Sequence, residues 1–192
     1  MKKYLRATNI IDWNHPAVLE QAMKLKGNCS DPVKIAKACF EWVRDNIKHS
    51  GDCKAEVTTV KASEVLEHGT GWCFAKSHLL AALLRANGIP AGLCYQRLCR
   101  DDGKGFTLHG LNAVFLPEFG WHRIDSRGQR PGCDAQFCPP REKLAFPVTE
   151  EGEMDFWEIW PDPAPVVIEC LEKHTGWEAV AANLPDIAYI KE

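Results

Sequence analysis

The 192-residue sequence lacks several features that would assign it to a class at once. No apolar run approaches the ~20 residues that a membrane-spanning helix needs, so we expect no membrane partner. The 23 Lys and Arg residues are scattered without a basic stripe, so we expect no nucleic-acid partner either. The charged start, from Met1 to Arg6, continues to Asp12 without the apolar segment of a signal peptide. We therefore predict a cytoplasmic protein.

The cysteines also lack the pattern of a disulfide framework. There are nine of them, an odd number, and no secretion signal precedes them, so we expect reduced thiols that are mostly buried as small apolar side chains. Four of them, spaced as Cys94-x4-Cys99 and Cys133-x4-Cys138, leave a zinc site open as an alternative, although zinc ribbons commonly use a shorter spacing. We predict that no metal or organic cofactor is required.

What is present is the material of an ordinary globular protein, with 45% hydrophobic and 26% charged residues. Helical patterns come first, strand patterns follow, and helical patterns return, so the predicted fold class is α+β. The predicted helices cover 15–26, a segment that opens at Asp31-Pro32, 61–66, 73–86, 165–174 and 176–184. The predicted strands cover 91–99, 108–116 and 121–125. Residues 128–140 are predicted to form a long loop.

Cys73 is the strongest candidate for a nucleophile. It lies in the first turn of the most apolar predicted helix, directly after a segment that contains Gly69 and Gly71. A helix N-terminus stabilises a thiolate, and the backbone N–H of Cys73 points out of the helix end, where it can donate to an oxyanion. A packed structural cysteine is the alternative interpretation, because a nucleophile also needs a base.

His109 and Asp125 are the candidates for the base and for the residue that orients it. His109 lies near the start of one predicted strand, and Asp125 ends the next. If the strands form a hairpin that turns near Pro117, the two side chains are opposite or diagonal, and they share a face when odd positions pair with odd positions. A hydrogen-bonded core histidine and a strand-end aspartate remain the alternatives.

Two motifs resemble those of transglutaminase-like proteins. The first runs from Gly71-Trp72-Cys73-Phe74-Ala75 to Leu83-Leu84-Arg85-Ala86-Asn87-Gly88-Ile89-Pro90-Ala91, and the second runs from His109 through Phe115-Leu116-Pro117 and Gly120-Trp121 to Asp125. The resemblance implies a papain-like fold, in which the nucleophile helix packs on an antiparallel sheet. It also implies a Cys73–His109–Asp125 triad. Two positions depart from the family pattern, because Leu111 replaces an aromatic residue and Asp125-Ser126-Arg127 replaces D-P-T.

The resemblance implies acyl transfer through a thioester on Cys73. We expect hydrolysis of an amide in a peptide, protein or isopeptide, and amine transfer to a protein glutamine is the alternative enzyme. Arylamine acetyl transfer fits less well, because Thr70-Gly71-Trp72-Cys73 lacks the R-G-G-x-C entry. A catalytically idle peptide-binding module is the alternative outside the enzymes. The oligomeric state stays open.

Other expectations concern the parts of the chain around these motifs. We expect one domain over 1–192, with a motif-bearing core at about 60–127 and an unassigned C-terminal extension at 128–192. The polar segment 100–105 is predicted to be a mobile loop that borders the cleft. His78 is expected to serve packing or the surface, and the aromatic cluster of Phe156, Trp157 and Trp160 is expected to seal the core.

Overall fold

The computed structural model describes residues 1–100, 102–128 and 132–188. It begins with a short 3-10 helix, Lys2–Tyr4, and then alternates helices and strands. The helices are α1 (Pro16–Lys26), α2 (Pro32–Asn46), α3 (Ser50–Cys53), α4 (Ala62–His68), α5 (Cys73–Ala86), α6 (Pro165–Lys173) and α7 (Trp177–Ala182). The strands are β1 (Lys48–His49), β2 (Thr70–Gly71), β3 (Ala91–Cys99), β4 (Phe106–Leu116), β5 (Gly120–Ile124), β6 (Gln136–Cys138), β7 (Arg141–Lys143) and β8 (Met154–Trp160).

The helix boundaries follow local signals in the sequence. The Asp31 side chain accepts hydrogen bonds from the N–H groups of Val33 and Lys34, which otherwise have no partner at the start of α2. Helix α1 ends at Gly27, whose φ of 51° suits a glycine. Helix α5 has the bounds that its apolar pattern predicts, and it is buried from Cys73 to Arg85. None of the helices in the described ranges combines the length and the apolar character needed to cross a membrane.

The main sheet has four strands in the order β5-β4-β3-β8, and each neighbouring pair is antiparallel. Helix α5 packs against β4 and β3, so the predicted α+β class with a central helix on an antiparallel sheet is confirmed. The fourth strand, β8, was not predicted, because most of its residues are exposed or half-buried and lack a clean alternation. The predicted loop at 128–140 also contains β6, which forms a small hairpin with β7.

Close contact between α5 and β4 depends on a glycine. A Cβ atom at Gly110 would lie 2.7 Å from Cδ1 of Phe74 and 3.1 Å from its Cα, closer than real side chains approach. The absence of a side chain therefore lets β4 run directly past the first turn of α5. This approach places the residue before the glycine, His109, beside Cys73.

A second pairing fixes the segment that precedes α5. Strands β1 and β2 are parallel, with Lys48 opposite Thr70 and His49 opposite Gly71. Beneath them, the buried Lys76 of α5 donates to the carbonyl oxygens of Arg44 and Ile47 at the end of α2, and burial lowers its pKa to about 8. The end of α2, β1 and the start of α5 are thus tied together.

Candidate active site

Cys73 is the first residue of α5, and Trp72 precedes it in an extended conformation. The thiol is largely buried, with 7% of the residue exposed. The Gly110 N–H points at the sulfur, with 3.5 Å between nitrogen and Sγ. The start of the helix and this N–H both place partial positive charge near the sulfur.

His109 lies between Cys73 and Asp125. Its Nε2 is 2.8 Å from Oδ2 of Asp125, and the Cys73 sulfur lies near enough to the ring to contribute to its raised pKa. Because the carboxylate occupies Nε2, Nδ1 is the nitrogen left for the thiol. The ring of Phe146 meets the imidazole edge-on, with 5.1 Å between centroids and an interplanar angle of 87°. The imidazole is therefore fixed by its hydrogen bond to Asp125 and by one aromatic contact.

Asp125 is the residue after β5, and three groups bind its carboxylate. Oδ1 accepts the Arg127 N–H at 3.0 Å, and Oδ2 accepts the Ala145 N–H at 3.1 Å in addition to His109. The turn from β4 to β5 spans 117–119, three residues, so odd positions pair with odd positions, which is the condition for His109 and Asp125 to share a face. Leu116 pairs with Gly120, and continuing this register sets Asp125 diagonal to His109 on the same face.

The buried ion pair between His109 and Asp125 shifts both pKa values. Burial alone lowers the pKa of His109, but the Asp125 carboxylate and the Cys73 sulfur outweigh it and raise the pKa to about 10. Burial alone raises the pKa of Asp125, and the His109 cation and the backbone donors outweigh that effect and lower it. The imidazole is therefore protonated and the carboxylate ionised at neutral pH, so the imidazole carries a proton that it can deliver to a leaving group.

Cys73 and His109 face a cleft of about 440 Å³. Its floor includes His49, Trp72 and Arg127, and one side is formed by the hairpin between β3 and β4 with Arg100 and Asp102. The described residues of the predicted loop at 100–105 thus border the cleft, and residue 101 lies outside the described ranges. The remaining wall comes from the C-terminal part of the chain, namely Phe146, Pro147, Thr149, Glu153, Ala181 and Leu184.

Arg127 and His49 are site residues that sequence reasoning missed. The guanidinium of Arg127 binds both carboxylate oxygens of Asp52, at 2.7 and 2.9 Å. A signal existed for Arg127, because it stands where the family pattern has threonine. His49 follows an ordinary amphipathic helix and belongs to no motif, so only the pairing of β1 with β2 reveals its position beside Gly71.

Other candidate residues lie away from the cleft. His78 is buried with Nδ1 2.8 Å from the Val60 carbonyl oxygen, and burial lowers its pKa to about 4, so it serves packing as predicted. Cys94 packs with Leu111 and Ala113, whereas Cys133 belongs to the main core. Over 1–100, 102–128 and 132–188, no three His, Cys, Asp or Glu residues are grouped to hold a metal ion.

The predicted role of the aromatic cluster is wrong for one of its members. Phe156 is buried, but Trp157 is 77% exposed, and its ring lies 5.0 Å from the guanidinium of Arg123. Because successive residues of a strand face opposite sides of the sheet, Phe156 and Trp157 cannot both enter the core.

Comparison with known proteins agrees with this architecture. A candidate cysteine protease from Cytophaga hutchinsonii has a similar fold, with 18% identity and a TM-score of 0.54 over 65% of this chain and 40% of that one. The periplasmic domain of TgpA from Pseudomonas aeruginosa shares 21% identity, with a TM-score of 0.47 over 64% of this chain and 45% of that one. This chain thus spans less than half the length of either. No curated protein matches the chain.

The family comparison covers the part of the chain that holds Cys73, His109 and Asp125. The model of the transglutaminase-like superfamily matches residues 20–126, more than half of the chain. The matched region contains α5, the three strands β3 to β5, helices α2 to α4 and most of α1. The protein therefore belongs to the transglutaminase-like superfamily.

Proposed function

We propose that the protein is a cysteine-dependent acyl-transfer enzyme that hydrolyses an amide bond of a peptide, protein or isopeptide through a thioester. One observation carries this proposal: His109 hydrogen-bonds to Asp125 at 2.8 Å, and the N–H of the next residue, Gly110, lies 3.5 Å from the Cys73 sulfur. A nucleophile, a base and an orienting carboxylate in this order are what nucleophilic catalysis at a carbonyl requires.

The reaction runs in two halves. The Cys73 thiolate attacks the carbonyl carbon, and the carbonyl oxygen becomes an oxyanion next to the backbone N–H of Cys73. The protonated His109 gives its proton to the departing amine, and the C–N bond breaks to leave a thioester. His109 then takes a proton from water, the hydroxide attacks the thioester, and Cys73 leaves as thiolate. Asp125 stabilises the imidazolium and holds the ring orientation throughout.

Water is favoured over an amine as the acceptor by the charges of the cleft. A carboxylate without other partners would help to bind an ammonium-bearing acceptor such as lysine. The two carboxylates that line the cleft are occupied: Asp102 pairs with Arg100, and Glu153 accepts the N–H groups of Cys99, Thr149 and Glu150. Transfer to an amine, which is true transglutamination, is the second candidate function.

The experiment compares the wild type with Cys73→Ala on a library of peptide and isopeptide amides. We expect turnover by the wild type and none above background by the variant, with matching circular dichroism spectra and melting temperatures, since the change removes the nucleophile and little packing. Adding a primary amine separates hydrolysis from transfer by mass spectrometry of the product. Turnover by Cys73→Ala at the wild-type rate contradicts the proposal, and slow labelling of Cys73 by thiol reagents would favour an idle binding module.

The location of the protein is also a proposal. All nine cysteines are free thiols in the structure. A reducing compartment keeps exposed thiols such as Cys53 in this state, so we infer a cytoplasmic protein. Cell fractionation tests this inference, and recovery of the protein from an oxidising compartment contradicts it.

A further inference from the structure

We propose that His49 donates a hydrogen bond to the oxyanion that forms when Cys73 attacks the substrate carbonyl. This inference rests on the proposed acyl-transfer function and adds a residue to it. The backbone N–H of Cys73 supplies one donor, and an oxyanion is stabilised best by two or more donors placed in advance.

The backbone holds His49 close to the nucleophile. His49 pairs with Gly71 across the parallel strands β1 and β2, and Gly71 is two residues before Cys73. The imidazole meets the ring of Trp72 edge-on, with 5.1 Å between centroids and an interplanar angle of 79°. Both His49 and Cys73 line the same cleft. Main-chain pairing and ring packing therefore fix the imidazole relative to the start of α5.

The ring of His49 has no hydrogen-bond partner among the described residues. His49 is 8% exposed, and its Nδ1 is fully buried without a partner. The nearest acidic oxygen, Oδ1 of Asp52, lies 3.8 Å from Nδ1, beyond hydrogen-bond distance. Asp52 itself is engaged by Arg127. Because Nδ1 is closed off by protein, Nε2 is the ring nitrogen whose N–H can reach a ligand atom in the cleft, and it makes no hydrogen bond with the described residues.

The charge state of His49 suits it to donate a hydrogen bond, but not to act as a second general acid beside His109. Burial, followed by the nearby Arg127 cation, holds the pKa of His49 well below its ordinary value. The ring is therefore neutral at physiological pH and carries one N–H. A neutral imidazole can polarise a carbonyl oxygen through this N–H while keeping its proton. The two histidines of the cleft thus differ: His109 holds the proton that is transferred, and His49 donates without transferring.

The step balances without further reactants. The sulfur of Cys73 forms a bond to the carbonyl carbon, and the electron pair of the C=O π bond moves to the oxygen. The oxyanion accepts hydrogen bonds from the N–H of Cys73 and from the N–H of His49, neither of which is transferred. When the intermediate collapses, the electron pair returns to the C=O bond, and the amine leaves with the proton from His109.

The test uses two variants that separate donation from packing. His49→Phe keeps an aromatic ring against Trp72 but removes the donor, whereas His49→Gln keeps an N–H donor but removes the ring. Each is treated with a p-nitrophenyl ester, whose attack by Cys73 creates an oxyanion and releases p-nitrophenolate in a burst. Each is also treated with iodoacetamide, which alkylates the thiolate without forming an oxyanion. Cys73→Ala gives the background from the other cysteines.

We expect His49→Phe to lose about 10²–10³-fold in the rate of the burst, with iodoacetamide labelling of Cys73 within about twofold of the wild type. The burst of His49→Gln should be at least tenfold faster than that of His49→Phe. Equal bursts in the wild type and His49→Phe would overturn the role of His49 while leaving the proposed function intact. A loss in His49→Gln with a normal burst in His49→Phe would show that His49 acts by packing alone. A wild type with neither burst nor fast labelling contradicts the acyl-transfer proposal itself.

Discussion

Two regions of the molecule contribute to the cleft in different ways. The region that matches the family, 20–126, contains Cys73, His109 and Asp125. The described part of the C-terminal region, 132–188, contains none of them but forms one wall of the cleft and contacts two of the three residues. Ala145 donates its N–H to Asp125, and Phe146 packs against His109. Under the proposed function, the first region therefore supplies the reacting groups, whereas the second supports them and shapes the cleft.

The two regions also differ in how they are built. In the first, a buried helix and paired strands set the positions of the side chains through backbone hydrogen bonds and through the close approach at Gly110. In the second, Ala145 and Phe146, which contact Asp125 and His109, lie in a connecting segment between β7 and β8. Substitutions in the first region should therefore abolish the reaction, and those in the second should tune it.

The largest effect is expected for Asp125→Asn. The amide keeps the size of the side chain but removes the charge that stabilises the His109 imidazolium, so we expect kcat/KM to fall about 10²–10⁴-fold. The matched control is Asp134→Asn, at an exposed carboxylate outside the cleft. Steady-state kinetics and a thermal melt are the measurements. A loss of less than threefold in Asp125→Asn would show that the carboxylate is not needed to orient the base.

A smaller loss of amide turnover is expected at alkaline pH. Because acylation by an amide requires protonated His109, the rate should fall about tenfold per pH unit above the raised pKa of about 10. Attack on p-nitrophenyl esters, whose leaving group needs no proton, should persist there. A pH–rate profile on both substrates provides the measurement, and a decline of amide turnover already near pH 7 contradicts the raised pKa.

The same ion pair affects folding stability. The contribution of His109, whose pKa is raised on folding, is complete below the ordinary value of 6.5 and is lost as pH rises to about 10. The contribution of Asp125, whose pKa is lowered on folding, is present above its ordinary value of 3.8 and is lost as pH falls below it. The difference in melting temperature between the wild type and Asp125→Asn should therefore be greatest between these ranges, near pH 5 to 6. A difference that does not change with pH would contradict this coupling.

Phe146→Ala tests whether the C-terminal region holds His109 in place. Removing the ring takes away an edge-on contact of about 1 kcal/mol with His109 and admits water to the His109–Asp125 pair, so kcat should fall about fivefold. Phe119→Ala, at an exposed turn residue outside the cleft, is the control. If Phe146→Ala changes KM alone, the ring contacts the substrate and leaves the base unaffected.

The smallest effect is expected for Leu184→Ala, at the cleft wall after α7. A shortened apolar side chain weakens binding of ground state and transition state equally, so KM should rise about two- to threefold with kcat unchanged. Ala substitution of Trp157, which lies outside the cleft, should leave both constants unchanged. A change in kcat for Leu184→Ala would mean that this wall also positions the reacting groups.

The sequence predicts the region that matches the family better than it predicts the C-terminal region. Helix α5 and strand β3 were predicted correctly, because apolar periodicity and flanking glycine or proline act locally, whereas the odd pairing of β4 with β5 was only permitted by the sequence. Strand β8 was missed because Trp157 is exposed and the pairing with β3 shifts between Leu93 and Tyr95, which breaks the alternation. The contacts of His49 and Ala145 were missed because they join residues distant in sequence, and no local pattern specifies such contacts.

The hydrogen bond from Ala145 to Asp125 implies an order in which the cleft is assembled as the chain is made. Chains are synthesised from the N-terminus, so Cys73 and His109 leave the ribosome before the segment that carries Ala145. Until that segment docks, the carboxylate lacks one of its donors and the imidazole lacks its cover by Phe146. The surroundings of His109 and Asp125 are therefore complete only after the segment that carries Ala145 and Phe146 has been made and has docked.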